Sequence, residues 1–317
     1  MKTFLGIDGG GTKTKFTLCS ESGQILAEAT TPTCHYLQVG TEGVTDVLST
    51  GLQAVCEIAN AAKEDILYAF VGCPGFGDTE SATPALLAAV AKAMQEIPHS
   101  VGNDCENALA GALAGESGIN LIAGTGSMGC GRKGTEPSMR CGGWHHAIGS
   151  DEGSGYWLSY RLLQEFTRQS DGRDEKTPLY HAVKQALDIE LDGDVITRVV
   201  DEWNMDRTKV ASLSRLIGGL YDQGDPYAAK ILDDAAAELA DMARALYRQL
   251  GFEGNIPVSG TGGVFKLGER LAAPLREKLA AHSMVLTDAK LPPDIGSLIL
   301  AFQLSGRSVP PTLLKGK

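Results

Sequence analysis

The stretch LGIDGGGTKTKFTL, residues 5–18, contains two short apolar segments on either side of a turn with three glycines. We predict strands at 3–8 and 13–19, because the second segment alternates apolar and polar residues. Gly9, Gly10 and Gly11 with Thr12 then form a hairpin turn. Glycine lets a backbone approach an anion closely, and successive N–H groups form a concave set of donors, so this turn suits a polyphosphate. Asp8 precedes the turn, where a carboxylate is favourable if Mg²⁺ lies between it and the phosphates, directly or through water.

The pattern outward from this hairpin predicts a third strand at 24–31, a helix at 41–62, a strand at 67–72, a helix at 81–96 and a strand at 99–101. A second series begins with strands at 121–123, 128–132 and 137–141. Its first two strands flank the small-residue turn AGTGS at 123–127, which corresponds to DGGGT in the first series. The chain is therefore an internal duplication with a phosphate-binding turn in each copy.

The remainder of the second copy is mostly helical, with apolar residues three and four apart at 156–166, 195–203 and 231–250. A last strand at 256–259 leads through SGTGG into a helix at 264–280, and a final helix follows at 294–304. We expect the tail from 308 to be loosely held.

Composition limits the classes of function. The chain has 317 residues, which is long enough for two domains, and a formal net charge of −11, which disfavours nucleic acid and anionic membranes as partners. Seven cysteines without a CxxC pair argue against a disulfide framework or a zinc motif. The N-terminal MKTFLGIDGGG lacks the features of a signal peptide, and we expect a cytoplasmic protein.

The series LGIDGGGTKTKFTL, IAGTGSMG and SGTGGVF resembles the two phosphate loops and the adenosine loop of the superfamily of actin, hexokinase and the heat-shock chaperones. The segment CGGWHHAIGSDEGSGYW, 141–157, resembles the BadF/BadG/BcrA/BcrD branch, which contains N-acetylglucosamine kinases, glucosamine kinases and ATPase activators. The resemblance implies an α/β fold of two actin-like (ribonuclease H-like) domains with a duplicated βββαβα core and a helical elaboration in the second domain. We expect domains at 1–103 plus about 293–317 and at 104–292, with the active site in the cleft between them.

The resemblance also assigns a nucleotide site for ATP and Mg²⁺. The metal, Mg²⁺, would be held by Asp8 through water. The ATP-binding residues would be Gly9, Gly10, Gly11, Thr12, Lys13, Gly124, Thr125, Gly126, Ser127, Gly260, Gly262 and Gly263.

The same resemblance makes Asp104, in VGNDCENALAGALAG, the general base that takes the proton from a sugar hydroxyl. The alternative is a purely structural role, because Asp104 also precedes a helix and could cap its N-terminus. Asp78 has a similar alternative as a cap before the helix at 81–96.

The sugar itself would meet residues from both copies of the repeat. Cys34 and Tyr36 stand where the family has an asparagine and a tryptophan, and Trp144 would form an apolar wall unless it is a core residue. Ser150 is inserted before Asp151, so the sugar contact could belong to Asp151 or to Glu152. The full set of sugar-binding residues is Cys34, His35, Tyr36, Asp78, Asp104, Ser127, Met128, Gly142, Gly143, Trp144 and Asp151.

These assignments predict an ATP-dependent kinase that phosphorylates N-acetylglucosamine or glucosamine at the 6-hydroxyl, and we expect it to be a homodimer. One alternative is an ATPase activator of a dehydratase or reductase, which needs cysteines from two subunits to hold an iron–sulfur cluster. The other is a sugar sensor without catalysis. No cysteine follows Cys141, and no helix-turn-helix signature or basic patch is found, so the kinase is favoured.

Overall fold

Two five-stranded sheets with the same strand order organise the chain in the computed structural model, which describes residues 1–315. One sheet has the order β3 (Ile25–Pro32), β2 (Lys13–Ser20), β1 (Thr3–Gly9), β4 (Ile66–Gly72) and β5 (His99–Gly102). The other has the order β8 (Met139–Gly142), β7 (Ser127–Arg132), β6 (Gly118–Ala123), β9 (Ile256–Thr261) and β10 (Met284–Thr287). The chain divides into a first unit, Met1–Ser117 with the residues from Asp288 onward, and a second unit, Gly118–Thr287. Residues 104–117 and 288–292 thus pack with the first unit. No helix among residues 1–315 has the length and apolar character that a membrane span requires.

In the first unit, β1 pairs with β2 in antiparallel and with β4 in parallel orientation. Its strands are β1 (Thr3–Gly9), β2 (Lys13–Ser20), β3 (Ile25–Pro32), β4 (Ile66–Gly72) and β5 (His99–Gly102). Its helices are α1 (Tyr36–Ala59), α2 (Thr83–Met94), α3 (Asp104–Ala112) and α11 (Pro293–Leu304).

In the second unit, β6 pairs with β7 in antiparallel and with β9 in parallel orientation, which repeats the arrangement of the first. The strands are β6 (Gly118–Ala123), β7 (Ser127–Arg132), β8 (Met139–Gly142), β9 (Ile256–Thr261) and β10 (Met284–Thr287). The helices are α4 (Gly155–Ser170), α5 (Pro178–Leu187), α6 (Asp194–Ile196), α7 (Arg207–Ala211), α8 (Leu216–Asp222), α9 (Pro226–Gln249) and α10 (Glu269–Ala280).

The predicted order of strands and helices is confirmed, with several differences. Helices α5, α7 and α8 were not located within the stretch expected to be mostly helical. Strand β10 was not predicted. The helix expected at 264–280 is a short turn followed by α10, because Gly268 has a φ of 61° and interrupts the helix. The helix expected at 195–203 is α6 continued by a π-helical segment, Thr197–Glu202. The tail from 308 is not loose where it is described, since Leu313 is buried in the core of the first unit.

The sheet of the first unit is covered on both faces. Helices α1 and α2 pack on one face around Phe16 and Leu48, and α3 and α11 pack on the other, where Phe4 stacks on Phe302 with ring centroids 3.9 Å apart. Helix α11 can approach β1 because Gly6 has no side chain: a Cβ there would lie 2.3 Å from the Ser297 hydroxyl. This close packing fixes the strand that leads into the first glycine turn.

We therefore predict that Gly6→Ala lowers the free energy of unfolding by about 1–3 kcal/mol, because the added methyl group overpacks the contact with α11. Gly193→Ala is the matched control, since Gly193 has helical φ and ψ of −63° and −21° and no atom within 4 Å of an added Cβ. The control should stay within about 0.5 kcal/mol of the wild type. Urea unfolding followed by circular dichroism measures both, and equal stability of the two variants would contradict the packing argument.

Candidate active site

The first glycine turn, Gly9–Thr12, is held from one side through its backbone carbonyls. The Thr33 hydroxyl donates a hydrogen bond to the Gly10 carbonyl at 2.6 Å, and the Gln38 amide donates to the Gly11 carbonyl at 2.9 Å. Within residues 1–315 the N–H groups of Gly11 and Thr12 have no hydrogen-bond partner. The turn therefore presents donors without competing acceptors, which is the arrangement that an anion requires.

The second glycine turn, Gly124–Gly126, is held in the same way by a different element. The first-turn N–H groups of α4 donate to it, from Gly155 to the Gly124 carbonyl at 2.8 Å and from Tyr156 to the Thr125 carbonyl at 3.1 Å. Amides at the start of a helix have no partner within the helix, so these bonds satisfy them. In the described part of the chain, the N–H groups of Thr125 and Gly126 make no hydrogen bond.

Gly9 is the one position of the first turn where a side chain is sterically excluded. A Cβ there would lie 2.6 Å from the Gly72 carbonyl oxygen and 2.7 Å from the Cys34 sulfur. The Cys34 thiol is fully buried between this turn and Cys73. A hydrogen bond from Cys73 lowers the pKa of Cys34, whereas that interaction and burial raise the pKa of Cys73. The buried thiol thus supports the turn, and its predicted contact with a sugar stays a prediction.

Asp8, at the end of β1, is a mostly buried carboxylate. Burial raises its pKa to about 6, and a hydrogen bond of 2.9 Å from the Asn107 amide to Oδ1 opposes that effect. Among the described residues no group of three or more His, Cys, Asp or Glu side chains could hold a metal. A cation at Asp8 would therefore take its other ligands from water or a bound nucleotide, which is usual for Mg²⁺. The residues present fit that ion.

Asn107 was not found by sequence reasoning, although it lies one helical turn after Asp104. It is fully buried, and it reaches β1 because Gly72 leaves the space: a Cβ on Gly72 would lie 1.9 Å from the Asn107 amide nitrogen. Its amide also donates to the Ile7 carbonyl at 3.2 Å. The spacing of three residues from Asp104 is the only sequence signal that could have indicated this role.

Asp104 is the first residue of α3 and is half-buried. The proposed alternative, in which it caps the helix, is wrong, because Asn103 is the cap. The Asn103 side chain accepts from the Cys105 N–H at 3.1 Å, and Glu106 accepts from the Asn103 N–H at 2.9 Å. The Asn103 amide also donates to the Phe76 carbonyl at 2.8 Å. The carboxylate of Asp104 is consequently not required for capping.

The other candidate sugar residues of the first unit lie near this helix start. His35 and Tyr36 stack with ring centroids 5.8 Å apart, and the Tyr36 ring packs on Gly75, where a Cβ would lie 2.8 Å away. Asp78 is exposed, and the Asn103 amide is 3.4 Å from its carboxylate. The segment at 73–78 is thereby connected to the residue that precedes Asp104.

In the second unit, Trp144 is 73% exposed, which rules out the alternative of a core tryptophan. It follows Gly142 and Gly143, which have φ values of 78° and 73° and so turn the chain sharply after β8. Gly143 lies against the Met128 side chain, and the Trp144 N–H donates to the Ser150 hydroxyl at 3.2 Å. The indole is thus available to a ligand.

Asp151 and Glu152 differ in their surroundings. Asp151 is 2% exposed; its Oδ2 pairs with Arg207 at 2.6 Å and its Oδ1 accepts from the Ser127 N–H at 3.2 Å. Glu152 is half-buried, and the Ser150 hydroxyl is 3.4 Å from its carboxylate. Both oxygens of Asp151 are therefore occupied within the unit, whereas Glu152 is the more accessible acid.

A cavity of about 660 Å³ lies beside the second glycine turn. Gly263 lines it, but Gly260 and Gly262 serve packing, against the Phe265 ring and the Ala123 backbone respectively. Its lining residues are Gly124, Thr125, Gly155, Leu158, Thr208, Ala211, Ser212, Ser214, Arg215, Gly263, Val264, Lys266 and Leu267. Those at 208–215 were missed, since nothing in their local sequence distinguishes them from other helical residues.

Comparison with known proteins agrees with this architecture. The model of the BadF/BadG/BcrA/BcrD ATPase family matches residues 5–301. The chain belongs to this family. The predicted resemblance is thus confirmed, and so is the α/β fold with two actin-like domains.

The relatives are sugar kinases. The N-acetyl-D-glucosamine kinase of Dictyostelium discoideum is 30% identical over 94% of this chain and 97% of its own length. The N-acetylmuramic acid/N-acetylglucosamine kinase of Clostridium acetobutylicum is 30% identical over 83% of this chain and 85% of its own. A solved structure from Chromobacterium violaceum, provisionally described as an N-acetylglucosamine kinase, has a TM-score of 0.71 and 25% identity, covering 95% of this chain and 99% of that one.

The support of the first turn can be tested with Gln38→Ala. Loss of one neutral hydrogen bond to the Gly11 carbonyl, about 0.5–1.5 kcal/mol, should weaken Mg-ADP binding roughly two- to tenfold. Gln53→Ala is the matched control, because Gln53 lies on the same helix and bonds only Glu57. Isothermal titration calorimetry gives both affinities. Equal affinity of Gln38→Ala and the control would show that the turn does not depend on this bond.

Proposed function

We propose that this chain is an ATP-dependent kinase that transfers a phosphoryl group to an amino sugar, N-acetylglucosamine or glucosamine, at the 6-hydroxyl. The observation that carries the proposal is the pair of glycine turns. In each turn, carbonyl groups accept hydrogen bonds from other parts of the unit, and two backbone N–H groups have no partner among the described residues. The relatives named as amino-sugar kinases support the choice of substrate class.

In this proposal the second unit holds the nucleotide. The cavity of about 660 Å³ takes the adenosine, and the amides of Thr125 and Gly126 take phosphate oxygens at its edge. Polar side chains of Thr208, Ser212 and Arg215 line the same cavity and are available to the ribose and the base. Backbone amides suit this task because their charge is fixed in place and needs no reorganisation during the reaction.

The first unit supplies the chemistry at the acceptor. Mg²⁺, when bound, would neutralise charge on the phosphates, and Asp8 would be the residue that holds it. Asp104 accepts the proton of the sugar hydroxyl as that oxygen attacks the γ-phosphorus. Because Asn103 caps α3, this role of Asp104 does not compete with capping of the helix.

The cysteines give no support to an iron–sulfur activator. Six of the seven are buried and Cys141 is half-buried, whereas a shared cluster needs cysteines that two subunits can both present.

The decisive experiment measures ADP release with N-acetylglucosamine, glucosamine, N-acetylmannosamine, N-acetylmuramic acid and glucose. We expect kcat/KM for N-acetylglucosamine or glucosamine to exceed that for glucose at least roughly tenfold, because the amino group or its acyl group makes additional contacts. Phosphorus NMR of the product identifies the hydroxyl. Hydrolysis of ATP at the same rate with and without every sugar, with no phosphosugar formed, would rule out the proposal.

Asp104→Asn should lower kcat by about 10²- to 10⁴-fold, because the amide cannot accept the proton. Mg-ADP affinity and the unfolding free energy should remain near the wild-type values, since Asn103 retains the cap. Glu116→Gln is the control, because Glu116 lies just beyond α3 and forms an exposed ion pair with Lys290. A kcat for Asp104→Asn within tenfold of the control would exclude Asp104 as the base.

A further inference from the structure

Arg207, in the helical layer of the second unit, lies directly against the second glycine turn. A Cβ on Gly126 would be 1.9 Å from its Nη2 atom, so the guanidinium occupies the space that a side chain at Gly126 would fill. Arg207 begins α7, and the Asp206 side chain caps that helix by accepting from the Lys209 N–H at 2.8 Å. The absence of a side chain at Gly126 is therefore what allows a cation from another part of the chain to reach the turn.

The orientation of this guanidinium is fixed by Asp151. The carboxylate is 2% exposed and bridges Arg207, through Oδ2 at 2.6 Å, and the Ser127 N–H, through Oδ1 at 3.2 Å. A buried carboxylate is costly without a partner, so this ion pair and hydrogen bond hold the guanidinium in its orientation. Arg207 is consequently held beside the turn in advance.

Most of the donors of Arg207 are not used within the protein. Among the described residues only Nη2 has a partner, and Nε is buried without one. The side chain is nevertheless 39% exposed. The Nη2 side of this guanidinium lies against Gly126, and the amides of Thr125 and Gly126 have no hydrogen-bond partner in the described chain. A guanidinium and backbone amides that converge in this way match the several oxygens of a phosphate group.

We propose that Arg207 binds the γ-phosphate of ATP and stabilises the phosphoryl group during transfer. The inference rests on the proposed kinase function. It adds to the proposed phosphate site a positively charged side chain that neither glycine turn contains. Backbone amides and one metal ion leave part of the triphosphate charge without a partner, and a fixed guanidinium offers two parallel hydrogen bonds to it. Lysine at this position would keep the charge but lose the paired geometry.

The test compares Mg²⁺ complexes of ADP and of a non-hydrolysable ATP analogue, AMPPNP, by calorimetry without sugar. For Arg207→Ala we expect at least a roughly tenfold loss of AMPPNP affinity, a change in ADP affinity below about threefold, and a fall in kcat of roughly 10²-fold or more. Arg207→Lys should recover part of the AMPPNP affinity and part of kcat. Arg198→Ala is the matched control, because Arg198 belongs to the same helical layer and pairs with Glu202 away from the turn.

The outcomes separate this inference from the kinase proposal. A wild-type protein that binds neither nucleotide would overturn the proposed function itself. Equal losses for ADP and AMPPNP in Arg207→Ala would make Arg207 a counter-ion of Asp151 only, and would overturn the inference while leaving the kinase intact. Unchanged nucleotide binding with a selective loss of N-acetylmuramic acid phosphorylation would also overturn it, because Arg207 would then bind the carboxylate of that sugar.

Discussion

The hydrogen bonds that hold the carbonyls of the two glycine turns are the interactions on which the site depends. A hairpin turn exposes acceptors as well as donors, and exposed carbonyl oxygens would repel a phosphate. Here Thr33 and Gln38 bind the carbonyls of the first turn, and the N-terminus of α4 binds those of the second. The glycines permit the conformation, but residues outside the motifs select which backbone groups remain available.

A buried carboxylate lies beside each glycine turn, Asp8 at the first and Asp151 at the second. The two carboxylates differ in the charge of their hydrogen-bond partners. Asp8 receives only a neutral amide from Asn107, and burial still raises its pKa to about 6. Asp151 is paired with the guanidinium of Arg207. Asp151 is thus balanced by an ion pair, whereas Asp8 has a neutral hydrogen-bond donor and only the electrostatic influence of Lys15 and Lys13. In the proposed kinase, Asp8 would therefore be the carboxylate that holds the metal ion.

The two units share the same sheet topology, and they differ in the helices that surround the sheet. In each sheet a glycine turn joins the first two strands of the unit, β1 to β2 and β6 to β7, and the two sheets have the same strand order. In the second unit, α7 and the turn after it add Thr208, Ser212 and Arg215 to the cavity beside that turn. In the first unit, α3 carries Asp104 and Asn107 on consecutive turns. One architecture thus provides a cavity beside a glycine turn in one copy, and in the other the acid Asp104 and the hydrogen-bonded pair of Asp8 and Asn107.

The sequence by itself determined the duplicated strand order, both glycine turns and the position of Asp104, because strand alternation and glycine turns are local properties of a few consecutive residues. It could not predict β10, a four-residue edge strand with only one fully buried residue, or distinguish Asn103 from Asp104 as the cap. Only the tertiary structure brought Asn107 to Asp8 and Arg207 to Asp151, which are 99 and 56 residues apart in the chain. Such contacts leave no periodic or compositional signal, because they depend on how closely separate elements pack at glycines such as Gly72 and Gly126.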